Sequence, residues 1–254
     1  MRATEFAGCF AKLDWADTQI TILETDLRQF MSRKPYVVRE KSKPKMTEEP
    51  NAAQANLFAK GRFHEIVMTE HIPPLITTAA GMIIQAQRDS LDHLAWALAK
   101  RNGANDDTAT AFVITETEEL FHGKSIQRRL RYLTEADRAK IKALQPHNGQ
   151  NDMLLALNRL SNQSKHREMV PIAPRENDFR VGGNGHVRRF LYLPAGNRLC
   201  PDEAIIVLDA DENVHLDVTA TIAFRDIFYA KGPSVVEGLH QLSNLCRNII
   251  DLWR

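Results

Sequence analysis

Two stretches of this chain set histidine, arginine and carboxylate side chains at helical spacing among apolar residues, and these are the residue types that acid–base and phosphate chemistry require. Within residues 75–100, Gln85, Asp89, His93 and Trp96 lie four, four and three positions apart, so a helix aligns them on one stripe. Arg88 and Asp92 form an i,i+4 pair beside it. Within residues 151–169, Arg159, Asn162 and His166 share a second stripe headed by Leu155. If the two helices are neighbours, both histidines, both arginines and an aspartate converge on one polar seam, where half-buried groups demand partners.

Three uses of such a seam stand open. It can be an architectural hydrogen-bonded and salt-bridged network in which Asp89 or Asp92 engages Arg159 or His166 and fixes how the helices pack. It can cleave RNA through the 2′-hydroxyl, with His93 or His166 handling the proton and Arg88 or Arg159 stabilising the anionic phosphorane. Asp89, Asp92 and Asn162 would then support, and neither metal nor cofactor would be needed. It can also hold a metal ion through His93, His166 and Asp92. The Asp92-His93 pair is poorly disposed for that, since adjacent helical residues diverge by about 100°.

The elements that must position these groups follow from apolar periodicity. Phe6, Cys9, Leu13, Ala16, Ile20, Leu23, Leu27 and Phe30 recur in steps of three and four, which predicts a long amphipathic helix. Val235, Leu239, Leu242, Cys246, Ile249 and Trp253 repeat the pattern at the other end of the chain. The terminal helices should pack on each other or on a shared bundle, with Cys9 and Cys246 as small buried hydrophobes. Pro73-Pro74 opens the helix over 75–100, and Asn102-Gly103 stops it. A small helix is expected over 126–132. Thr134-Glu135-Ala136-Asp137 reads as a capping box for a helix ending before Pro146, and another helix runs from 151 to 169.

Beyond Pro171 the period changes to two. Strands are expected over 188–193, 204–208 and 214–224, the last with Val214, Leu216, Val218, Ala220 and Ile222 on one face. Gly182-Gly183-Asn184-Gly185 reads as a hairpin turn. Residues 36–38 and 63–68 are further strand candidates, and the basic stretch between Pro35 and Pro50 is a solvated loop interrupted by Glu40, Glu48 and Glu49. The expectation is one α+β domain over 1–254: a helical bundle (1–170 and 234–254) with a small antiparallel sheet, about 176–230, inserted before the last helix.

Composition narrows the function classes. With 33 basic and 32 acidic residues the net charge is +1, so binding to nucleic acid or an anionic membrane would need a local patch. Three cysteines, Cys9, Cys200 and Cys246, make neither a closed disulfide framework nor a zinc pair. No window is apolar enough to span a membrane and no secretory segment opens the chain, so a cytoplasmic protein is expected. GxGxxG, GxxxxGK[ST], HExxH and GxSxG motifs are absent.

Two resemblances add to this. Arg88 to His93 is an R-x4-H sequence and Arg159 to His166 an R-x6-H sequence. Both resemble the R-x4-6-H signature of HEPN domains, helical bundles that often act as metal-independent endoribonucleases in toxin or phage-defence systems, with sites commonly assembled across a dimer. The resemblance implies Arg88 or Arg159 as phosphate stabiliser, His93 or His166 as acid/base, RNA as substrate, an antitoxin-like partner and a homodimer. Leu160, where a polar residue is expected after the arginine, departs from it.

More of the chain is involved in the second. Arg88-Asp-Ser-Leu-Asp-His-Leu-Ala-Trp, Phe112-Val-Ile, Leu144-Gln-Pro-His-Asn-Gly and Leu160-Ser-Asn-Gln-Ser-Lys-His-Arg167 resemble the ordered motifs "RSALDHLxW", "FPI", "QPY" and "LxNIDKHR" of a family of uncharacterised bacterial proteins. Val113, His147 and Ser164 stand where that pattern has proline, tyrosine and aspartate. The resemblance covers roughly 81–167 and implies no particular reaction.

Overall fold

The computed structural model describes residues 5–105, 110–148, 151–166, 172–193, 205–224 and 233–254. In chain order the elements are α1 (Ala7–Ser32), β1 (Tyr36–Lys41), α2 (Ala52–Lys60), β2 (Arg62–Met68), α3 (Pro74–Arg101), α4 (Glu118–Phe121), α5 (Lys124–Arg129) and α6 (Glu135–Ala143). A 3-10 turn at Pro146–Asn148 leads to α7 (Asp152–His166), β3 (Ile172–Gly183), β4 (Val187–Leu193), β5 (Ile205–Ala210), β6 (Val214–Phe224) and α8 (Val235–Asp251). The fold is α+β and mainly helical, with long helices near both ends of the chain and four strands between α7 and α8. No helix among the described residues is long and apolar enough to cross a membrane.

The helical layer forms for the reason the periodicity gives. Cys9, Leu13, Ala16, Ile20, Leu23, Leu27 and Phe30 are all buried, so α1 turns a single stripe inward. On α8, Val235, Leu239, Leu242, Cys246 and Ile249 do the same, and Trp253 closes the stripe just past the helix end. Ser234 and Glu237 cap α8 reciprocally, each side chain accepting from the other's backbone N–H. Helix α3 lies at the centre, packed against α1, α7 and α8. Pro74 starts it, and Gly103 at φ 85° takes the left-handed conformation just beyond its end. Burial raises the thiols of Cys9 and Cys246 to about 11 and about 12, so both sit as inert small hydrophobes. Cys200 lies outside the described residues.

The sheet recruits more chain than the alternation suggests. A four-stranded antiparallel sheet runs β1-β2-β5-β4, so two strands from between α1 and α3 join two of the four between α7 and α8. Strand β3 pairs with β6 instead, from Ile172↔Phe224 to Gly183↔Val214. Gly182-Gly183-Asn184-Gly185 is therefore not a hairpin turn. β3 and β4 form one long bent run, β5 and β6 form another, and the pair switches sheets at the bend. Crowding at that corner explains Gly185, where a Cβ would stand 2.5 Å from Val214 Cγ2. Arg62 fastens the same corner, its Nη2 donating to the carbonyls of Asp211 (3.3 Å) and Val214 (3.1 Å).

Helix α2, capped reciprocally by Asn51 and Gln54, packs Leu57 and Phe58 on Phe63, Ile205 and Val207 as a second small core. Val214 and Ile222 of β6 are buried as the alternation requires; the side chains of Leu216, Val218 and Ala220 lie outside the description.

Candidate functional site

The polar residues named on α3 leave the helix in two directions. Arg88 and Asp92 point into the molecule, against an extended segment at residues 112–115. Arg88 is 8% exposed; its Nη2 donates to the Phe112 carbonyl at 2.5 Å, and its Nη1 stands 3.0 Å from Asp92 Oδ1. That carboxylate oxygen accepts from the Phe112 backbone N–H at 2.9 Å. The i,i+4 pair thus grips both backbone polar groups of one residue, as a neighbouring strand would.

Gln145, fully buried, continues the grip from the other side. Its Nε2 donates to the carbonyls of Val113 (3.0 Å) and Ile141 (2.9 Å), and its Oε1 accepts from the backbone N–H (2.8 Å) and hydroxyl (3.2 Å) of Thr115. His147 Nδ1 lies 3.4 Å from the Thr115 carbonyl. Residues 112–115 belong to no sheet, and these side chains supply the hydrogen bonds that a ladder would otherwise give.

The stripe of Gln85, Asp89, His93 and Trp96 exists as its spacing predicts; it meets α1 at Asp89 and α7 at Gln85. Gln85 Nε2 donates to Asp89 Oδ1, Lys12 of α1 stands 3.4 Å from Asp89 Oδ2, and Ser161 of α7 donates to Gln85 Oε1 at 3.1 Å. His93 is exposed. It lines a groove of about 460 Å³ with Glu5, Gly8, Trp96, Lys100 and Arg101. Lys100 Nζ sits 5.5 Å over the Trp96 ring. Arg101 is drawn toward carboxylates, 3.4 Å from Asp137 and 3.8 Å from Glu5. Five residues of α3, less than a turn and a half, therefore separate a buried arginine from a histidine open to solvent.

Helix α7 packs on α3 through its apolar side, with Leu154, Leu157 and Leu160 buried. Arg159 and Asn162 are exposed, and Arg159 Nε pairs with Glu116 Oε1 at 3.1 Å, at the far end of the extended segment. Arg88 and Arg159 are spent on different partners and do not meet. His166 is the last residue of α7, and its side chain lies outside the description. Asp92, occupied by Phe112 and Arg88, is not turned toward His93 as a metal pair would require. Among the described residues no group of three or more histidine, cysteine, aspartate or glutamate side chains is placed to hold a metal ion.

No protein-family model, curated protein or solved structure matches the chain. The chemistry of the site therefore rests on its geometry. Glu116, Gln145, His147 and Lys12 complete the network without having been selected by spacing, since each acts across a large sequence separation. One local signal did exist: Gln145 falls inside the Leu144-Gln-Pro-His-Asn stretch, whose polar character just after a helix end marks a side chain with work to do beyond the turn.

Proposed function

We propose that this chain is a non-catalytic interaction protein in which the Arg/Asp network of α3 is architectural. One observation carries the reading: Arg88 donates to the Phe112 carbonyl and Asp92 accepts from the Phe112 N–H, so the pair is turned onto a backbone segment of this chain. The neutral charge balance and the lack of a membrane-crossing helix among the described residues fit a cytoplasmic protein whose contacts are with other proteins. The test is incubation of the full chain with a structured RNA in EDTA. Intact RNA, with no difference between the wild type and the His93→Ala/His166→Ala double variant, is the expected result.

A second reading has an observation in its favour. His93 opens onto a groove that also holds Lys100, Arg101 and the Trp96 ring, a cation and stacking platform beside a free acid/base. HEPN-like metal-independent RNA cleavage in a toxin or defence system, opposed by an antitoxin-like partner, would use His93 there, with Lys100 or Arg101 in the role that spacing gave to Arg88. Cleavage by the wild type that His93→Ala abolishes would replace the first reading with this one.

A further inference from the structure

Residues 124–131, which make α5 and the turn leaving it, hold Lys124, Arg128, Arg129 and Arg131 and no carboxylate. That is four cations in eight residues, where the whole chain has 33 in 254. All four side chains are exposed, and α5 itself buries none of its residues. Lys124 and Arg128 stand one turn apart on the same side of the helix, a like-charged i,i+4 pair that works against it. Among the described residues no carboxylate pairs with Lys124, Arg128 or Arg129.

The segment is nevertheless tied down at both ends. Gln127 Nε2 donates to the Phe121 carbonyl at 2.9 Å, and Arg138 donates to the carbonyls of Arg131 (2.8 Å) and Leu133 (3.0 Å). Leu130 is fully buried beneath the turn, and Arg131 lies 4.8 Å over the Tyr132 ring. A fixed row of like charges that buries nothing does not serve the core, and an anion from outside the chain would relieve its repulsion.

We propose that α5 is the docking face for a short acidic helical segment of a partner protein. The inference rests on the non-catalytic reading and gives that partner its chemistry. Three of the four cations are arginines, whose planar fork pairs with a carboxylate through two hydrogen bonds. Glutamates at i, i+4 and i+7 on a partner helix repeat the spacing of Lys124, Arg128 and Arg131. Extent selects a short segment. At 1.5 Å per residue the row is about 10 Å long, and exposed carboxylates bound it: Glu118 and Glu119 on α4 before it, and Glu135 at the start of α6 after it. A nucleic-acid strand or an anionic membrane extends past the row and meets those glutamates, and a net charge of +1 supplies no wider attraction.

Fluorescence anisotropy with the full chain tests this. The probe is a labelled helical peptide with glutamates at i, i+4 and i+7, set against the same peptide carrying glutamines. The glutamate peptide should bind with a Kd on the order of 10–100 μM that weakens as salt is raised. Arg128→Ala/Arg129→Ala should weaken it roughly tenfold, with circular dichroism and melting temperature unchanged because neither side chain is buried. Arg39→Ala, which removes an exposed cation from β1, should leave binding as it is. Equal affinity for the glutamine peptide, no binding at about 1 mM, or an equal loss with Arg39→Ala overturns the proposal. Tighter binding of a single-stranded oligonucleotide or of phosphatidylserine vesicles through the same two arginines overturns it as well. A failed peptide with intact RNA strikes the docking face alone, whereas cleaved RNA strikes the non-catalytic reading.

Discussion

Arg88 and Asp92, one turn apart on α3 and 3.0 Å from each other, hold the backbone of Phe112 between them. Removing one member strands the other: Arg88→Ala leaves a carboxylate and a buried carbonyl without their cation, and Asp92→Ala leaves a nearly buried guanidinium. Each should cost about 3–5 kcal/mol, measured as a fall in the urea midpoint. The double variant should cost much less than the sum, with a coupling energy on the order of 1–3 kcal/mol. Simple additivity would mean that the clamp is not a unit.

Gln145 should matter as much as a core leucine. Gln145→Leu keeps similar volume but orphans the Val113 carbonyl and the Thr115 N–H, at about 1–3 kcal/mol for each buried group. Amide exchange gives the local readout. The Thr115 N–H should exchange far faster in the variant while amides within α1 keep their protection. Equal acceleration everywhere would show global destabilisation instead of a loosened segment.

Asp137 ties three elements together: it accepts from the Trp253 indole (2.8 Å) and the Thr134 hydroxyl (2.7 Å), with Arg101 at 3.4 Å. Burial alone would raise its carboxyl, but the hydrogen bonds from Thr134 and Trp253 and the charge of Arg101 outweigh that and hold it below its ordinary 3.8. A carboxylate depressed in the fold contributes stability that is present above the unfolded value and lost as pH falls through the folded one. Stability should therefore drop on acidification below about pH 4, and Asp137→Asn should flatten that limb. An unchanged acid limb would remove Asp137 from this role.

His64 acts over a different range. It lies on β2 at 8% exposure, and burial, aided by the charge of Arg62, pulls it below 6.5 despite the opposing charge of Glu40 and the Arg62 backbone hydrogen bond. For a base depressed in the fold, the unfolded chain takes up the proton first. Stability should fall as pH drops through 6.5 and level off below the folded value. His64→Gln should remove that slope between pH 7 and 5 while leaving the Asp137 limb in place, which two-variant denaturation curves will show.

The helical half of the molecule was legible because one period explains it. Every apolar position assigned to the α1 stripe, from Phe6 to Phe30, is buried, and so is every one assigned to α8 and Trp253. Boundaries of α3 fall within one residue of those set by its prolines and Asn102-Gly103. The sheet was harder, because strand pairing is a long-range matter. Nothing local tells Phe63 that it will lie opposite Val207, or Gly183 that its partner is Val214. β3, with Pro174, Glu176, Asn177 and Asp178 and a register shift in its middle, lacks the alternation that marks a strand. Helix α2 escaped because it is short and its alanines carry little amphipathic signal.

At the site, spacing placed Gln85, Asp89, His93 and Trp96 on one stripe, which α7 meets at Gln85 through Ser161 while Arg159 turns away to Glu116. An arginine and an aspartate one turn apart look the same whether they await a phosphate or a peptide group. Only the position of Phe112 distinguishes the two, and that depends on a chain segment twenty residues away.

The bend at Gly185 has a mechanical consequence. β6 delivers Ile222 and Phe224 to the helical core, while β5, on the other side of Asp211, delivers Ile205 and Val207 to the small core under α2. The two hydrophobic centres are thus threaded on one ribbon, with its corner held by Arg62. A tether of that kind should make the small core melt with the large one, and widening the corner should let the sheet end unfold before the helices.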